Sequence, residues 1–385
     1  MTADLSLPPL SLYVHLPWCV RKCPYCDFNS FQRSADGLPE ASYVAALLAD
    51  LDQDLRWIAP RPLHSIFFGG GTPSLFSGRA IADLLHAIAQ RLPFGPNIEI
   101  TLEANPGASE HDRFEAYREA GVNRLSLGVQ SFDDQTLKRL GRIHDADQAE
   151  RAYAAARQAG FERINLDLMY ALPAQDLDGA RADLQRALAL GPEHLSYYHL
   201  TMEPNTAFHS QPPKDLPDQD LAFQIQDQGQ QMLAEAGFVQ YEISAYARPG
   251  EASLHNLNYW RFGDYLGIGA GAHGKLTRRD GRLWRSAKRR NPRSYQELAN
   301  SDQRLDSAEA IADDQRLFEF MLNALRLREG VPAGLLRERT GLDPAQQPAI
   351  ADARAKGLLV DDPGRLQASE LGWRYLNDLQ GMFLS

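Results

Sequence analysis

Three cysteines, Cys19, Cys23 and Cys26, lie on one short segment, CVRKCPYC. Thiolates are soft ligands that favour iron–sulfur clusters, Zn²⁺ or Cu(I). Three of them can hold three corners of a [4Fe–4S] cubane and leave the fourth iron open, whereas electron-transfer clusters use four cysteines. The alternatives are a zinc site with a remote fourth ligand such as His15, or buried structural cysteines. A zinc knuckle adds a second ligand pair at fixed spacing, which the sequence lacks, so the spacing favours the cluster.

The cysteine count and the charge exclude several classes of protein. The 385-residue chain has three cysteines in all, so it cannot carry a disulfide framework. Its formal net charge is −10, which argues against nucleic-acid binding because phosphate contacts need clustered Lys and Arg. No segment is long and apolar enough to span a bilayer, and the N-terminal MTADLSLPPL does not resemble a signal peptide. We therefore predict a cytoplasmic protein without a nucleic-acid partner or a transmembrane segment.

Up to about residue 245, short β-branched or aromatic segments alternate with longer segments of helical period. The predicted strands are 11–16, 64–68, 98–103, 124–130, 163–169 and 194–200. The predicted helices between them are 40–58, 79–91, 110–120, 145–159 and 177–190. Six βα units in series predict an α/β fold with a parallel sheet. Because six units are too few for an eight-stranded barrel, we expect an open partial (β/α)6 barrel.

The rest of the chain predicts two further regions. Residues 246–310 form an irregular extension rich in Gly, Arg and aromatic residues, and the basic run 278–290 within it predicts a solvated hairpin or loop, with a local anion site as the alternative. Helices at 221–236 and 312–328 flank this extension. Residues 311–385 predict a mainly helical, winged-helix-like C-terminal domain, in which a turn at 362–364 joins two short strands. The predicted domains are therefore 1–245, 246–310 and 311–385.

Polar residues stand at the ends of three predicted strands. Glu103, Gln130 and Asp167 end the third, fourth and fifth strands, and the segment GGGTPS follows the second. Parallel barrels place their sites at this C-terminal end, and glycines let the backbone approach a ligand closely. A single carboxylate there could be a helix N-cap, and the glycines could form a tight turn. Three polar ends beside the cysteine loop instead predict a shared binding site.

The cysteine segment, with an aromatic residue before its last cysteine, resembles the radical S-adenosylmethionine (SAM) superfamily, and GGGTP resembles a superfamily segment that contacts SAM. The resemblance implies that the open iron binds SAM, which the reduced cluster cleaves to a 5′-deoxyadenosyl radical. The resemblance implies that SAM is bound by Tyr13, Gly70, Gly71, Thr72, Glu103, Gln130, Arg142 and Asp167. For Tyr13, packing in the core is the alternative role.

Longer sequence segments indicate a particular family within this superfamily. YVHLPWC, LEANP, LSLGVQSF, RINLDLMYALP and HLSYYHL are similar to the family of the oxygen-independent coproporphyrinogen III dehydrogenase (HemN) and the heme chaperone HemW. The dehydrogenase pattern continues CxxxCxxCxC, whereas this chain has Phe28 at the extra position. The dehydrogenase also has a longer segment before its first strand. HNLNYW at 255–260 resembles the HNxxYW motif of HemW. These differences favour the chaperone branch.

The resemblance implies heme as a ligand, and histidine is a common axial ligand of heme iron. His255 of HNLNYW is the first candidate, although a histidine beside Tyr and Trp is more often structural; His15, His199 and His273 are rivals. The Gly-rich segment 267–274 lacks the acidic residue of a dinucleotide fingerprint and instead predicts close backbone approach to the SAM pocket.

Two functions follow from the resemblance. The first is a heme chaperone that transfers heme to acceptor hemoproteins, with an electron donor to its cluster and a possible homodimer. The second is an enzyme that oxidatively decarboxylates coproporphyrinogen III by radical chemistry. A third reading, from the cysteines alone, is a zinc-stabilised binding module. Turnover separates the first two, and iron and sulfide analysis tests the third.

Overall fold

The computed structural model describes residues 7–35, 37–107, 113–278 and 280–384. The strands in chain order are β1 (Leu10–Leu16), β2 (Trp18–Cys19), β3 (Phe31–Gln32), β4 (Leu63–Gly70), β5 (Phe94–Ala104), β6 (Arg124–Gln130), β7 (Arg163–Tyr170), β8 (His194–His199), β9 (Val239–Glu242), β10 (Ala245–Ala247), β11 (Asp264–Ile268), β12 (His273–Thr277), β13 (Leu283–Lys288), β14 (Leu305–Ala310), β15 (Val331–Pro332) and β16 (Arg365–Leu366). The helices are α1 (Glu40–Asp54), α2 (Gly78–Ala89), α3 (Phe114–Glu119), α4 (Asp134–Arg139), α5 (Ala146–Gln158), α6 (Leu177–Leu190), α7 (Ala207–Ser210), α8 (Gln219–Glu235), α9 (Leu254–Trp260), α10 (Pro292–Leu298), α11 (Arg316–Ala324), α12 (Gly334–Thr340), α13 (Pro348–Ala355), α14 (Glu370–Arg374) and α15 (Leu376–Gly381).

The six predicted strands are all present, as β1, β4, β5, β6, β7 and β8. They lie side by side in chain order, and each neighbouring pair is parallel. β6 buries all its residues, and β1 buries all but Tyr13, because a parallel strand is covered on both faces. The predicted α/β fold with an open partial barrel is confirmed.

The sheet continues beyond these six strands on both edges. β11 pairs in parallel with β1, with Ile268 opposite Val14, and β12, β13 and β14 follow in antiparallel order. On the other edge, β10 and β9 add antiparallel strands to β8. The region 246–310, predicted as an irregular extension with a hairpin or loop at 278–290, therefore supplies four of the twelve strands of this sheet. The outer strands β14 and β9 do not pair with each other, so the sheet stays open.

Helices connect the parallel strands, and α2 shows why they form where they do. The Ser77 side chain accepts a hydrogen bond from Ala80 N at 3.2 Å and caps the helix N-terminus. Ile81, Leu84 and Ile88 recur at helical spacing and are buried. An apolar stripe of this kind fixes the helix against the sheet.

Two helices differ from their predictions in the barrel region. The predicted helix 110–120 corresponds to α3, and residues 108–112 at its start lie outside the described residues. Helix α4 (Asp134–Arg139) was not predicted, because its six residues are too short to show a clear period. Asp133 caps it by accepting from Thr136 N at 2.7 Å.

A buried ion cluster ties the antiparallel extension to α1. Lys288 Nζ lies 2.6 Å from both Asp50 Oδ1 and Asp54 Oδ2, and Arg304 Nε lies 2.7 Å from Asp50 Oδ1. All four side chains are almost completely buried. Burial raises the pKa of Asp54, and the neighbouring cations oppose that rise. The mutual pairing of these charges offsets the cost of removing them from water and connects β13 to α1.

The C-terminal region contains the predicted short helices, but residues 358–360 form an isolated bridge rather than the predicted strand, and two helices rather than one end the region. β15 pairs antiparallel with β16, and an isolated bridge joins Leu359 to Ala368. Phe320, Leu336 and Leu379 form the core of this region, and they share it with Phe262 and other residues of the extension. Of the helices described, none is long and apolar enough to cross a membrane.

Candidate functional site

The cysteine loop follows β1 and lies at the C-terminal end of the parallel strands. Cys19 is buried, Cys23 and Cys26 are half-buried, and no disulfide joins them. Cys26 N donates a hydrogen bond to Cys23 O at 3.2 Å and so closes a turn in the loop. Cys26 Sγ lies 3.9 Å from Ser30 Oγ. All three cysteines line one cavity of about 300 Å³.

The thiols of this cavity are the soft donors that iron–sulfur clusters and Zn²⁺ take. In the described ranges, no group of three or more His, Cys, Asp or Glu side chains converges on a position for one metal ion. A cubane instead takes each thiolate at a different corner, so its ligands stand further apart than those of a zinc ion. Burial raises the pKa of Cys19 and of Cys26. These thiols therefore release protons when metal binds.

The segment after β4 forms the wall beside the cysteines. Gly71 N donates to Leu16 O, and Thr72 N donates to Trp18 O, each at 2.8 Å. A Cβ at Gly71 would lie only 2.5 Å from Trp18 O, so any larger residue would push this segment away from the cysteine loop. Asn105 Nδ2 donates to Thr72 Oγ1 at 2.8 Å. The glycines of GGGTPS therefore let this backbone approach the start of the cysteine loop closely.

Two half-buried carboxyl groups face the same cavity from β5 and β7. Burial, together with the nearby Asp167, raises the pKa of Glu103 to about 8, and a hydrogen bond from the Gly70 backbone opposes the rise. Burial also raises the pKa of Asp167, while hydrogen bonds from Ser196, Asn165 and Ser126 oppose the rise. Asn165 Nδ2 donates to Asp167 Oδ1 at 2.7 Å. Glu103 thus holds a proton at neutral pH and can donate as well as accept a hydrogen bond.

Gln130 and Arg142 complete the polar wall. Gln130 has φ 72, in the left-handed region, and its Oε1 accepts from Tyr198 OH at 2.6 Å. Backbone strain of this kind is concentrated at ligand sites. Arg142 donates through Nη2 to Gly128 O at 2.7 Å and through Nη1 to Cys23 Sγ at 3.6 Å. The guanidinium therefore bridges the strand ends and the cysteine loop.

The structure brings most of the predicted site residues together. The predicted residues that line the cavity are Cys19, Cys23, Cys26, Gly71, Thr72, Glu103, Gln130, Arg142 and Asp167. Tyr13 and Gly70 instead line a neighbouring chamber of about 640 Å³. Phe28 and Glu103 belong to both cavities and form the wall between them.

His255 lines neither of these cavities. Its side chain is 1% exposed, with Nδ1 at 2.8 Å from Ser65 Oγ and Nε2 at 3.0 Å from Tyr259 OH. Burial lowers the pKa of His255 to about 3. Both ring nitrogens of a neutral imidazole are thus occupied, and neither is free for iron. In this arrangement the histidine supports Tyr259, which does line the second chamber.

Several cavity residues were missed by the sequence analysis. They are Tyr25, Asn105, Ser126, Ser196 and Tyr198. On β6, β7 and β8, polar residues alternate with apolar ones, because alternate side chains of a strand point to the same face. Reading every second residue back from Gln130 would have identified Ser126, and Ser196 lies two residues before Tyr198 on the same face of β8.

Comparisons with known proteins show the family of this chain. A model of the radical SAM superfamily matches residues 13–187, and a model of the HemN C-terminal domain matches residues 311–375. The heme chaperone HemW of Escherichia coli (strain K12) is 49% identical over 382 residues, which cover 99% of this chain and 100% of that protein. The chain belongs to the HemW family. The heme chaperone HemW of Haemophilus influenzae is also 49% identical to this HemW-family chain, over 99% of both proteins.

A solved structure shares the fold of this HemW-family protein. The coproporphyrinogen III oxidase HemN from Escherichia coli, described as a radical SAM enzyme, superposes with a TM-score of 0.82 over 99% of this chain and 91% of that chain. The two sequences are 23% identical, so this likeness concerns the fold alone. The resemblance predicted from the cysteine and HNLNYW segments is confirmed at the level of the family.

Proposed function

We propose that this HemW-family protein binds heme and transfers it to acceptor hemoproteins, with a [4Fe–4S] cluster on Cys19, Cys23 and Cys26 and SAM at the open iron. The observation that carries the proposal is the 49% identity, over the whole chain, to proteins named heme chaperone HemW. Phe28, at the position of an additional cysteine in the dehydrogenase pattern, supports the same branch.

In this proposal Arg142 acts on the cluster, and the polar residues at the strand ends bind SAM. The cluster and SAM would supply one-electron chemistry. Arg142 donates toward Cys23 Sγ, and hydrogen bonds to sulfur are one of the factors that set cluster potential. Glu103 and Asp167, at the strand ends, present carboxyl oxygens suited to the ribose hydroxyls of SAM. Gln130 is held by Tyr198 and offers an amide to the adenine.

The cluster also needs an electron donor, which we place at the mouth of the first cavity. Arg21 and Lys22 line that cavity and are exposed. A donor with an acidic surface would meet these cations close to the cluster, and complementary charge speeds association of this kind.

One anaerobic experiment tests the proposed function. The cluster is reconstituted, and iron and sulfide are measured, with about four of each expected per chain. Heme is then added to one sample, and coproporphyrinogen III with SAM and a reductant to another. We expect stoichiometric heme binding, release of heme to an apo-hemoprotein, and no protoporphyrinogen. Multiple turnovers to protoporphyrinogen without stable heme binding would instead identify the dehydrogenase, and zinc without iron or sulfide would identify the binding module.

A further inference from the structure

The second chamber has the dimensions and lining of a site for a flat apolar ligand. Its volume of about 640 Å³ lies within the range of cofactor pockets. Its aromatic lining residues are Tyr13, Phe28, Tyr259, Trp260 and Tyr265. Phe28 is 58% exposed although it is a large apolar side chain, so it gains contact area if a ligand fills the chamber.

Two histidines line this chamber, and their ring nitrogens differ in one respect. In His15, Nδ1 lies 3.0 Å from Tyr13 OH and Nε2 lies 2.9 Å from Asn29 O, so both nitrogens are occupied. His273, the first residue of β12, is exposed, and its ring nitrogens have no hydrogen-bond partner within the described part of the chain. Partial desolvation of the ring at the chamber edge, with Arg285 and Arg290 nearby, lowers the pKa of His273. The imidazole is thus neutral at physiological pH, which is the form that binds metals.

The backbone that carries His273 is fixed against the cysteine loop. Asn29 Nδ2 donates to Ala270 O and to Arg290 O, each at 2.8 Å. Gly271 has φ +84, and a Cβ there would lie 2.3 Å from Asn29 Nδ2. The position therefore requires glycine, both for its conformation and for the space beside Asn29. This contact, only two residues before His273, orders the start of β12 at the edge of the chamber.

Of the charged side chains that line the chamber, one cation is available to bind an anionic group of a ligand. Lys288 is held by the buried ion cluster, and the acidic groups Asp27 and Asp306 also line the chamber. Arg290 lines it as well and makes no ion pair with any described residue. A guanidinium without a carboxylate partner suits an anionic substituent such as a propionate.

We infer that heme occupies this second chamber, that its iron is ligated by His273 rather than by His255, and that Arg290 binds a propionate. The inference rests on the proposed function and adds the heme site to it. HNLNYW then contributes the aromatic side chains of Tyr259 and Trp260 to the porphyrin pocket, while its histidine holds Tyr259 in place.

Heme titration of the full-length, cluster-loaded protein tests the inference, with the Soret band as the readout. His273→Ala should weaken heme binding about tenfold or more and change the Soret position, because it removes an iron ligand. Added imidazole should restore the wild-type spectrum in this variant. His199→Ala is the matched control, since His199 is also exposed and has a pKa lowered by burial but lines neither cavity. It should bind heme as the wild type does.

The outcomes separate the inference from the proposed function. If the wild type binds no heme, the proposed function fails and the inference fails with it. If the wild type binds heme and His273→Ala keeps the same affinity and Soret band, only the inference is overturned. Equal losses in His273→Ala and His199→Ala would overturn it too. His255→Gln, which keeps hydrogen-bonding atoms in the core, should retain the Soret position; a loss of the axial-ligand spectrum there would return the ligand role to His255.

Discussion

The two cavities share a wall but are built in opposite ways. In the first cavity, polar groups on the parallel strands already bond to one another, as Tyr198 does to Gln130 and Arg142 does to Gly128. In the second, the antiparallel extension and α9 supply aromatic faces, together with His273 and Arg290, whose side chains have no hydrogen-bond or ion-pair partner among the described residues. A prearranged polar site suits a resident cofactor held in one orientation, because its dipoles need no rearrangement. A loosely satisfied aromatic chamber suits a cargo that must also leave.

The largest expected effect is a change in the first cavity that leaves ligand binding in the second almost unchanged. Cys23→Ser removes one of three cluster ligands, so the cluster should be lost while the circular dichroism of the fold is retained. Heme affinity should change by less than about threefold, because the inferred heme ligand lies in the other cavity. Iron and sulfide assays with a heme titration check both parts. A full cluster in this variant would refute the ligand assignment.

A large effect is also expected for the structure that supports the second chamber. Lys288→Met leaves Asp50 and Asp54 short of a cation in a buried setting and should cost about 3–5 kcal/mol of stability. Chemical denaturation measures this loss. Lys356→Met, which breaks an exposed pair with Asp352, is the control and should change stability by less than about 1 kcal/mol. Equal effects of the two variants would show that the buried cluster is not a structural anchor.

Glu103, which lies in the wall between the two cavities, should make the stability of the protein depend on pH. Glu103 has a pKa of about 8 in the folded protein, raised by burial and by Asp167, against about 4.3 for a free Glu side chain. Between these values the folded protein holds a proton that the unfolded chain releases, so this group lowers stability as pH rises. Glu103→Gln should remove that loss, by at least about 1.4 kcal/mol at pH 8 relative to pH 5.

Denaturation midpoints of the metal-free protein at pH 5 and pH 8 measure this difference. Glu99→Gln is the contrasting variant, since Arg124 and Arg163 lower the pKa of that buried carboxyl despite its desolvation. Glu99 contributes stability above its unfolded pKa, so its replacement should destabilise the protein at both pH values. An unchanged pH slope in Glu103→Gln would show that Glu103 is already ionised in the folded state.

The smallest expected effect concerns the exposed side of the shared wall. Phe28→Ala removes an aromatic face from both cavities and should weaken heme binding by about three- to tenfold, the equivalent of roughly 1 kcal/mol of aromatic contact. Cluster content should stay the same, because Phe28 is not a ligand. Phe223→Ala, an exposed phenylalanine on α8, provides the control. A heme affinity equal to that of the wild type would place the porphyrin away from Phe28.

The sequence by itself determined the first cavity to a large extent. Six strands were predicted from β-branched and aromatic segments, and the structure contains all six in the expected parallel order. Because parallel strands bring their C-terminal ends to one edge, the sequence alone predicts that residues far apart in the chain, such as Glu103 and Asp167, share one site. The cysteine spacing and the GGGTPS segment added the expected cofactor chemistry through their resemblance to the radical SAM superfamily.

The tertiary structure alone decided the second chamber. β11 to β14 are short strands next to a glycine-rich turn. β11 joins them to the barrel by pairing with β1, a long-range contact that local periodicity does not encode. HNLNYW similarly shows a histidine beside two aromatic residues but not which of them faces a cavity. That choice depends on Ser65 of β4, almost two hundred residues away in the chain, which hydrogen-bonds to His255. Local sequence patterns predict elements and the ends of parallel strands, whereas side-chain partners brought from distant segments determine which residue is free to bind.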